Sequence, residues 1–327
     1  MSAGEPSQGG RGALPGAGGT PPSGAALFAI PSLIWGSTWL AITGQLGTVE
    51  PEVSVVYRFA IASALLVAAC LATRRPLRFG ARDHAFLAAL GLAMICVNYL
   101  FVYHAERYIA SGLVAVAYST VVFMTPVAMR IVHGAPLRPR LLAAATLGVA
   151  GVWLLFLPQV DATGDPRRTA TGVALTLAAA AACAVGNVVA VRNQKAGIPT
   201  VSGTAWMLVY GTLFALVVVA AQGAPWRFDA SPRYVLSLVY LAVFGSVVAF
   251  ATYFALLERV GAGPSSYVAV VTPVIAMLLS TLFEGYRWNA LAVAGGVLAV
   301  IGNRLVLAEA SGAGAKAATP KRSSSRR

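Results

Sequence analysis

The chain has 327 residues, of which 58% are hydrophobic and 11% charged, and its formal net charge is +13. Soluble domains carry about 25% charged residues, so this composition excludes an ordinary soluble enzyme and a disordered chain, and it leaves a polytopic membrane protein. The positive charges form short clusters between apolar runs and not one basic face, which argues against a nucleic-acid partner.

Apolar segments of membrane-spanning length follow one another between two polar tails. Residues 1–24, rich in Gly, Pro and Ala, are predicted to be disordered, and residues 309–327 form a basic tail. A bilayer core of about 30 Å requires about 20 helical residues, and strands cannot satisfy their backbone groups in lipid. We therefore predict transmembrane helices at 25–44, 53–73, 84–104, 111–132, 139–157, 170–191, 201–221, 234–256, 264–283 and 288–308, with an extracellular linker at 158–169.

The distribution of Lys and Arg predicts the orientation of these helices. Cytoplasmic loops of membrane proteins carry an excess of positive charge. When both termini are placed in the cytoplasm, the inner segments include the run from Arg74 to Arg82 and the basic C-terminal tail, and they hold most of the Lys and Arg. We predict a multi-pass protein of the cytoplasmic membrane with both termini cytoplasmic.

The two halves of the chain share landmarks at a nearly constant offset of about 150 residues. These landmarks are Gly36 with Gly186, Glu106-Arg107 with Glu258-Arg259, Gly134 with Gly285, and Gly151 with Gly302. Five helices per half is an odd number, so the second half must begin on the opposite face of the membrane. The predicted fold class is therefore all-α integral membrane, with ten transmembrane helices as two inverted five-helix repeats at 25–157 and 170–308. Secondary transporters have this architecture and bind substrate near the midplane.

Several motifs also carry a resemblance to a known family. They are WGSTWLA, YRFAIASALL, ERYIASGLVAV, CAVGNVV and ERVGAGPSSYVAVVTPVIAMLLSTLFEG, in this order. Over about residues 26–308 the chain resembles the EamA-type domain of the drug/metabolite transporter superfamily. The resemblance implies ten helices in two halves and the export or exchange of small metabolites. One departure is Gly134-Ala135, where family members often carry Gly-Glu; the second half has Glu284-Gly285 in the reversed order.

Polar and aromatic residues inside the predicted helices are the candidates for a substrate site. An unpaired polar group in lipid costs several kcal/mol, so Ser37, Asn98 and Asn187 should bind either a neighbouring helix or a substrate. Arg58 could anchor an anionic group or pair with Glu52 or helix-end carbonyls. The aromatic candidates could instead pack or form a membrane-interface belt. The predicted substrate-binding residues are Trp35, Ser37, Arg58, Asn98, Tyr99, Tyr118, Asn187, Tyr253 and Tyr267.

Two prolines interrupt predicted helices. Pro126 and Pro273 free the carbonyls of Val122 and Ala269, which then require another partner. Each proline is a candidate hinge, with a static kink as the alternative. Glycines in the fifth and tenth helices are expected to allow close helix packing. These glycines are Gly148, Gly151, Gly295 and Gly302.

The sequence contains no nucleophile triad, paired carboxylates, CxxC pair or phosphate-binding loop. Every acidic residue falls outside the predicted hydrocarbon core, so we expect no carboxylate-based proton coupling. We predict a secondary transporter that exports or exchanges a small organic metabolite, such as an amino acid or an amphiphilic compound, across the cytoplasmic membrane by alternating access. It is expected not to be an enzyme and to have no metal or cofactor. Its partners would be that substrate and the lipid bilayer, and a homodimer is compatible with the sequence. The alternatives are a non-transporting receptor or scaffold and an intramembrane enzyme.

Overall fold

The computed structural model describes residues 23–134, 139–163, 165–260, 265 and 268–318, and these residues are helical apart from short connections. The helices are α1 (Gly24–Thr43), α2 (Pro51–Ala72), α3 (Ala81–Ala105), α4 (Ser111–His133), α5 (Pro139–Thr163), α6 (Pro166–Lys195), α7 (Thr200–Gln222), α8 (the consecutive segments Pro232–Val239, Tyr240–Val248 and Ala249–Val260), α9 (Val268–Phe283) and α10 (Ala290–Ala318).

Membrane-spanning length is reached by seven of these helices within the described residues: α1, α2, α3, α4, α6, α7 and α8. Shorter apolar stretches lie in α5 at Leu142–Leu155, in α9, and in α10 at Ala290–Leu305. No strand occurs in the described part of the chain. The predicted all-helical, multi-pass fold class is thereby confirmed, while ten spans and inverted repeats remain predictions.

The helices extend further than the predicted domain limits. α1 begins at Gly24, where the Ser23 hydroxyl accepts the backbone N–H of Ala26 at 3.2 Å; residues 1–22 of the predicted tail lie outside the described residues. α5 reaches Thr163 and α6 begins at Pro166, so most of the predicted linker is helical. α10 continues to Ala318, inside the predicted C-terminal tail, whose remainder also lies outside the described residues.

Two helices contain a π-helical segment at matching places. It covers Leu92–Val97 in α3 and Tyr240–Val248 in α8. The wider turn of a π-helix changes which backbone groups hydrogen-bond to each other, so a carbonyl can accept from a side chain. In α8, the Gly245 carbonyl accepts a hydrogen bond from Trp35 Nε1 at 3.2 Å. π-Helical segments are frequent at functional sites.

Close packing of α5 against α10 depends on glycine. A Cβ atom at Gly151 would lie 2.6 Å from the Gly295 carbonyl oxygen, and one at Gly302 would lie 2.7 Å from the Gly148 Cα atom. The two backbones are therefore in contact, as predicted for these four glycines. Small residues let helices associate in lipid, where apolar burial supplies little driving force.

Adjacent glycines of α10 provide a test of this contact. We expect Gly295→Ala to destabilise the protein by about 1–3 kcal/mol, because the new Cβ would lie 2.5 Å from the Gly151 carbonyl oxygen and 2.6 Å from the Leu155 nitrogen. Gly296→Ala is the matched control, since its nearest neighbour is a Trp288 ring carbon at 3.7 Å and alanine favours the helix. Thermal unfolding of both purified variants measures the difference. Equal midpoints for the two would contradict the packing argument.

Candidate functional site

A cavity of about 390 Å³ lies among α1, α3, α4, α6, α7, α8 and α9. Six of its lining side chains are aromatic: Trp35, Trp39, Tyr99, Tyr118, Phe250 and Tyr253. Its uncharged polar lining residues are Thr38, Asn98, Ser119, Asn187 and Thr272. No charged side chain lines it within the described residues. This size and lining are typical of a small-molecule site.

The aromatic side chains form two groups on the cavity wall. The Trp35 ring centroid lies 5.3 Å from that of Phe250 and 5.2 Å from that of Tyr253. On another part of the wall, the Trp39 and Tyr118 centroids are 5.2 Å apart. Each group joins helices from distant parts of the chain and presents aromatic surface to an apolar or cationic ligand.

Two amide side chains differ in what they leave for a ligand. Asn187 Nδ2 donates to the Thr125 hydroxyl at 3.0 Å and so joins α6 to α4. Asn98 Nδ2 donates to the Met94 carbonyl at 3.0 Å, but its Oδ1 atom is buried and has no hydrogen-bond donor in the described part of the chain. A buried acceptor without a partner costs about 1–3 kcal/mol. Asn98 is therefore a residue of the cavity wall with an unused hydrogen-bond acceptor.

Both proline interruptions lie beside the cavity. Val122 and Ala269, whose carbonyls lose their helical donor at Pro126 and Pro273, are lining residues, and so is Pro273. Pro126 lies in the part of α4 from Val121 to His133 and does not line the cavity. The structure places these helix interruptions next to the ligand space, where a hinge would change its shape; their hinge role remains a prediction.

Three of the predicted substrate-binding residues are not among those that line the cavity: two lie away from it, and one is outside the described residues. The Ser37 hydroxyl donates to the Leu33 carbonyl at 2.8 Å and lies 2.6 Å from the Tyr240 hydroxyl, so it joins α1 to α8 and does not line the cavity. Arg58 does not line the cavity either. Tyr267 lies outside the described residues. The other six predicted substrate-binding residues all border the cavity, and their contact with substrate remains a prediction.

Arg58 is buried behind the cavity wall with 1% of its surface exposed. Its guanidinium carbon lies 4.6 Å from the Tyr99 ring centroid and 4.8 Å from that of Phe59, within cation–π range. Its Nε and Nη1 atoms have no hydrogen-bond acceptor among the described residues. Glu52, considered as its partner from the sequence, instead contacts His104, with 2.7 Å between Oε1 and Nε2. That pairing was wrong because Arg58 points to the aromatic rings and not to the helix end.

One functional candidate was missed by sequence reasoning. Glu106 follows α3, outside the predicted span as expected, yet it is only 8% exposed. Burial raises the pKa of its carboxyl well above the usual range, and the nearby charge of Glu284 adds to this, while Arg58 acts in the opposite direction. The Glu-Arg pair at 106 and 107 was noticed only as a landmark of the repeat, because chain position does not reveal burial by other helices.

The family of the chain follows from a match that occurs twice. The EamA-like transporter family model matches residues 22–157 and again residues 170–308. The chain belongs to the EamA-like transporter family. This confirms the resemblance read from the motifs, and it makes the chain a membrane transporter by family.

Similar proteins agree with this assignment. The EamA-like chain is 29% identical to the uncharacterized inner membrane transporter YedA of Escherichia coli K12, over 82% of this chain and 86% of that one. It is 23% identical to Protein PagO of Salmonella typhimurium, over 80% and 84% of the two chains. A chloroplastic WAT1-related protein of Arabidopsis thaliana is 25% identical over 84% of this chain and 67% of its own. A crystal structure at 19% identity covers 89% of this chain and 98% of its own with a TM-score of 0.64, which is a likeness of fold.

The three cysteines test the cavity without any mutation. Cys183 lines it, whereas Cys70 and Cys96 are 0% and 2% exposed in packed regions. We expect N-ethylmaleimide to modify Cys183 faster than the other two by about tenfold or more, because a thiol reacts only where the reagent can reach it. Peptide mass spectrometry over a time course measures the three rates. If Cys96 were modified at the same rate as Cys183, the cavity would not make Cys183 more accessible to the reagent, and the prediction would be wrong.

Proposed function

We propose that this chain is a secondary transporter that exports or exchanges a small organic metabolite across the cytoplasmic membrane by alternating access. The observation that carries the proposal is a cavity of about 390 Å³ that is lined by residues from both segments that match a transporter family. Its volume suits a molecule of amino-acid to drug size. An amino acid or an amphiphilic compound is the expected class.

The residues that line the cavity favour some substrates over others. Its aromatic faces favour apolar or cationic groups, and Asn98 Oδ1 would accept a hydrogen bond from the substrate. An isolated anionic group would lose its hydration without a compensating charge on the wall, which is costly. Arg58 could supply that charge only if Tyr99 moved away from it. We therefore favour a neutral, zwitterionic or cationic substrate that carries a donor.

Alternating access is supported by the way the helices pair. α1 packs against α8 and α9, and α6 packs in the same manner against α3 and α4. α2 pairs with α7, and α5 with α10. Exchanging helices 1–5 with helices 6–10 leaves this pairing scheme unchanged, as expected for two halves related by a pseudo-two-fold axis. The double family match and the π-helical segments of α3 and α8 fit the same ten-helix inverted repeat.

Asn98 tests the substrate site. In proteoliposomes, we expect saturable flux of a transported compound to fall about three- to tenfold in Asn98→Leu, because one hydrogen bond to the substrate is lost. Asn303→Leu is the matched control: Asn303 is 2% exposed and its Oδ1 also lacks a partner in the described part of the chain, but it does not line the cavity. Its flux should equal that of the unmodified protein.

The flux measurement uses a panel of neutral amino acids, sugars and amphiphilic cations. Uptake that saturates with concentration and exceeds that of empty vesicles is the expected result for at least one compound. The proposal of transport fails if the whole panel moves no faster than through empty vesicles. Equal losses in both asparagine variants would remove Asn98 from the site while leaving transport in place.

The orientation with both termini in the cytoplasm is tested by two exposed loop positions. Thr48 lies between α1 and α2, and Arg78 lies between α2 and α3. In a background without native cysteines, we expect a membrane-impermeant maleimide to label Thr48→Cys in intact cells and to leave Arg78→Cys unlabelled until the membrane is opened, because the inner loops carry the positive charge. The reverse pattern would invert the orientation.

A further inference from the structure

Polar residues gather where α3 ends, α4 begins and α9 ends, a region called here the Glu106 end. α4 and α9 are in close contact there: a Cβ atom at Gly112 would lie 2.7 Å from the Ser280 Cβ atom. Ser111 donates its backbone N–H to both Glu284 oxygens at 3.2 Å and its hydroxyl to Oε2 at 2.5 Å. The lining residue of α4 nearest this end is Ala115, about 6 Å along the helix from Ser111. The contact between Ser111 and Glu284 therefore joins α4 to α9 about one helical turn beyond the cavity lining.

Glu106 is buried beside this contact and receives no such support. Neither of its carboxylate oxygens has a hydrogen-bond donor in the described part of the chain, although both are buried. An ionised carboxylate in that position would cost several kcal/mol, and such groups bind a proton instead. The charge of Glu284 opposes ionisation further, whereas Arg58 favours it.

Two neighbouring charged groups, His104 and Arg168, have contacts of their own. His104 contacts Glu52 at 2.7 Å. Arg168, from the start of α6, donates to the carbonyls of Arg107 at 3.0 Å and Tyr108 at 3.3 Å.

Tyr103, Tyr286 and Arg58 are the remaining titratable or charged side chains considered near Glu106. Tyr103 donates to Gln45 Oε1 at 2.6 Å, and Tyr286, after α9, packs against the apolar cluster that contains Ala105. Arg58 is held on aromatic rings and does not hydrogen-bond Glu106. No group of this set neutralises the Glu106 carboxylate by direct contact.

We propose that Glu106 is a proton-binding site that controls the opening of this end of the transporter. The carboxyl holds a proton while α4 and α9 are closed on each other, and it releases that proton to the adjoining water when the end opens and the group becomes hydrated. The inference rests on the proposed alternating access, and it adds the proton as a second ligand of the cycle. It departs from the expectation of no carboxylate-based proton coupling, because Glu106 is buried although it lies outside the predicted spans. Low pH on this side of the membrane therefore favours the closed form.

Native Cys183 provides a readout that needs no substrate. A membrane-impermeant maleimide is added on the side of the membrane where the Glu106 end lies. If Thr48→Cys is labelled in intact cells, that side is outside and intact cells are used; otherwise inverted vesicles are used. From that side it reaches the cavity only when the end is open. The labelling rate of the unmodified protein is divided at each pH by that of Glu106→Gln, which mimics the protonated acid, so the ionisation of the thiol itself cancels.

The expected ratio rises with pH between about pH 5 and pH 9, by up to about tenfold per pH unit, because one proton is linked to opening. Glu50→Gln is the matched control, because Glu50 is a partly exposed carboxylate before α2 on the same predicted side of the membrane, and it should keep the profile of the unmodified protein. A ratio that stays constant across pH overturns the proposal.

A second variant covers the case in which Glu106→Gln is poorly folded. Ser111→Ala removes the hydroxyl that donates to Glu284, so the closed form is weakened. The labelling rate of Cys183 should then be higher at every pH, and its increase with pH should begin at a lower pH. A profile identical to that of the unmodified protein would also overturn the proposal. Because labelling uses no substrate, a pH-dependent opening without any flux would refute the proposed transport alone, and flux with pH-independent opening would refute the proton site alone.

Discussion

A polar group inside a bilayer has no water to bind, so every such group must find its partner within the protein. Most hydroxyls of this chain meet the requirement locally: Thr38 donates to the Trp35 carbonyl at 2.8 Å, and Thr43 to the Leu40 carbonyl at 2.7 Å. Such bonds consume the polar group and leave the helix surface apolar. The buried groups that lack such a partner are few within the described residues, and they include Asn98 on the cavity wall and Glu106 at the Glu106 end.

Arg58 and Glu106 are the two charged exceptions, and they differ in what they can do. An arginine cannot lose its proton in a protein, so Arg58 keeps its charge and is stabilised by the rings of Phe59 and Tyr99. A buried glutamate can become neutral. A direct salt bridge between the two side chains would have kept Glu106 ionised. The Glu106 oxygens have no donor in the described part of the chain, so the protonation state of Glu106 can change while Arg58 stays charged.

Much of the fold could be predicted from the sequence because the bilayer imposes a length and a composition on each helix. The aromatic and amide candidates from Trp35 to Tyr253 follow from the same logic, since a polar or bulky residue within an apolar run requires an interior neighbour. The partner of each group could not be predicted. Ser37 meets Tyr240, on a π-helical segment that leaves no recognisable pattern in the sequence, and Glu106 is buried by helices far away in the chain.

The closed end and the proton have comparable energies, which is what a proton-controlled opening requires. Glu284 is an exposed carboxylate, and contacts of exposed charged groups are worth about 0–1 kcal/mol each, so those from Ser111 hold α4 and α9 together by about 1–2 kcal/mol. One pH unit acting on a titrating group changes its free energy by about 1.4 kcal/mol. The glycine contact of α5 with α10 is of another kind, because two backbones meet over several turns and no titratable group takes part. We therefore expect α5 and α10 to stay together while α4 separates from α9 at the end where a single proton can decide the balance.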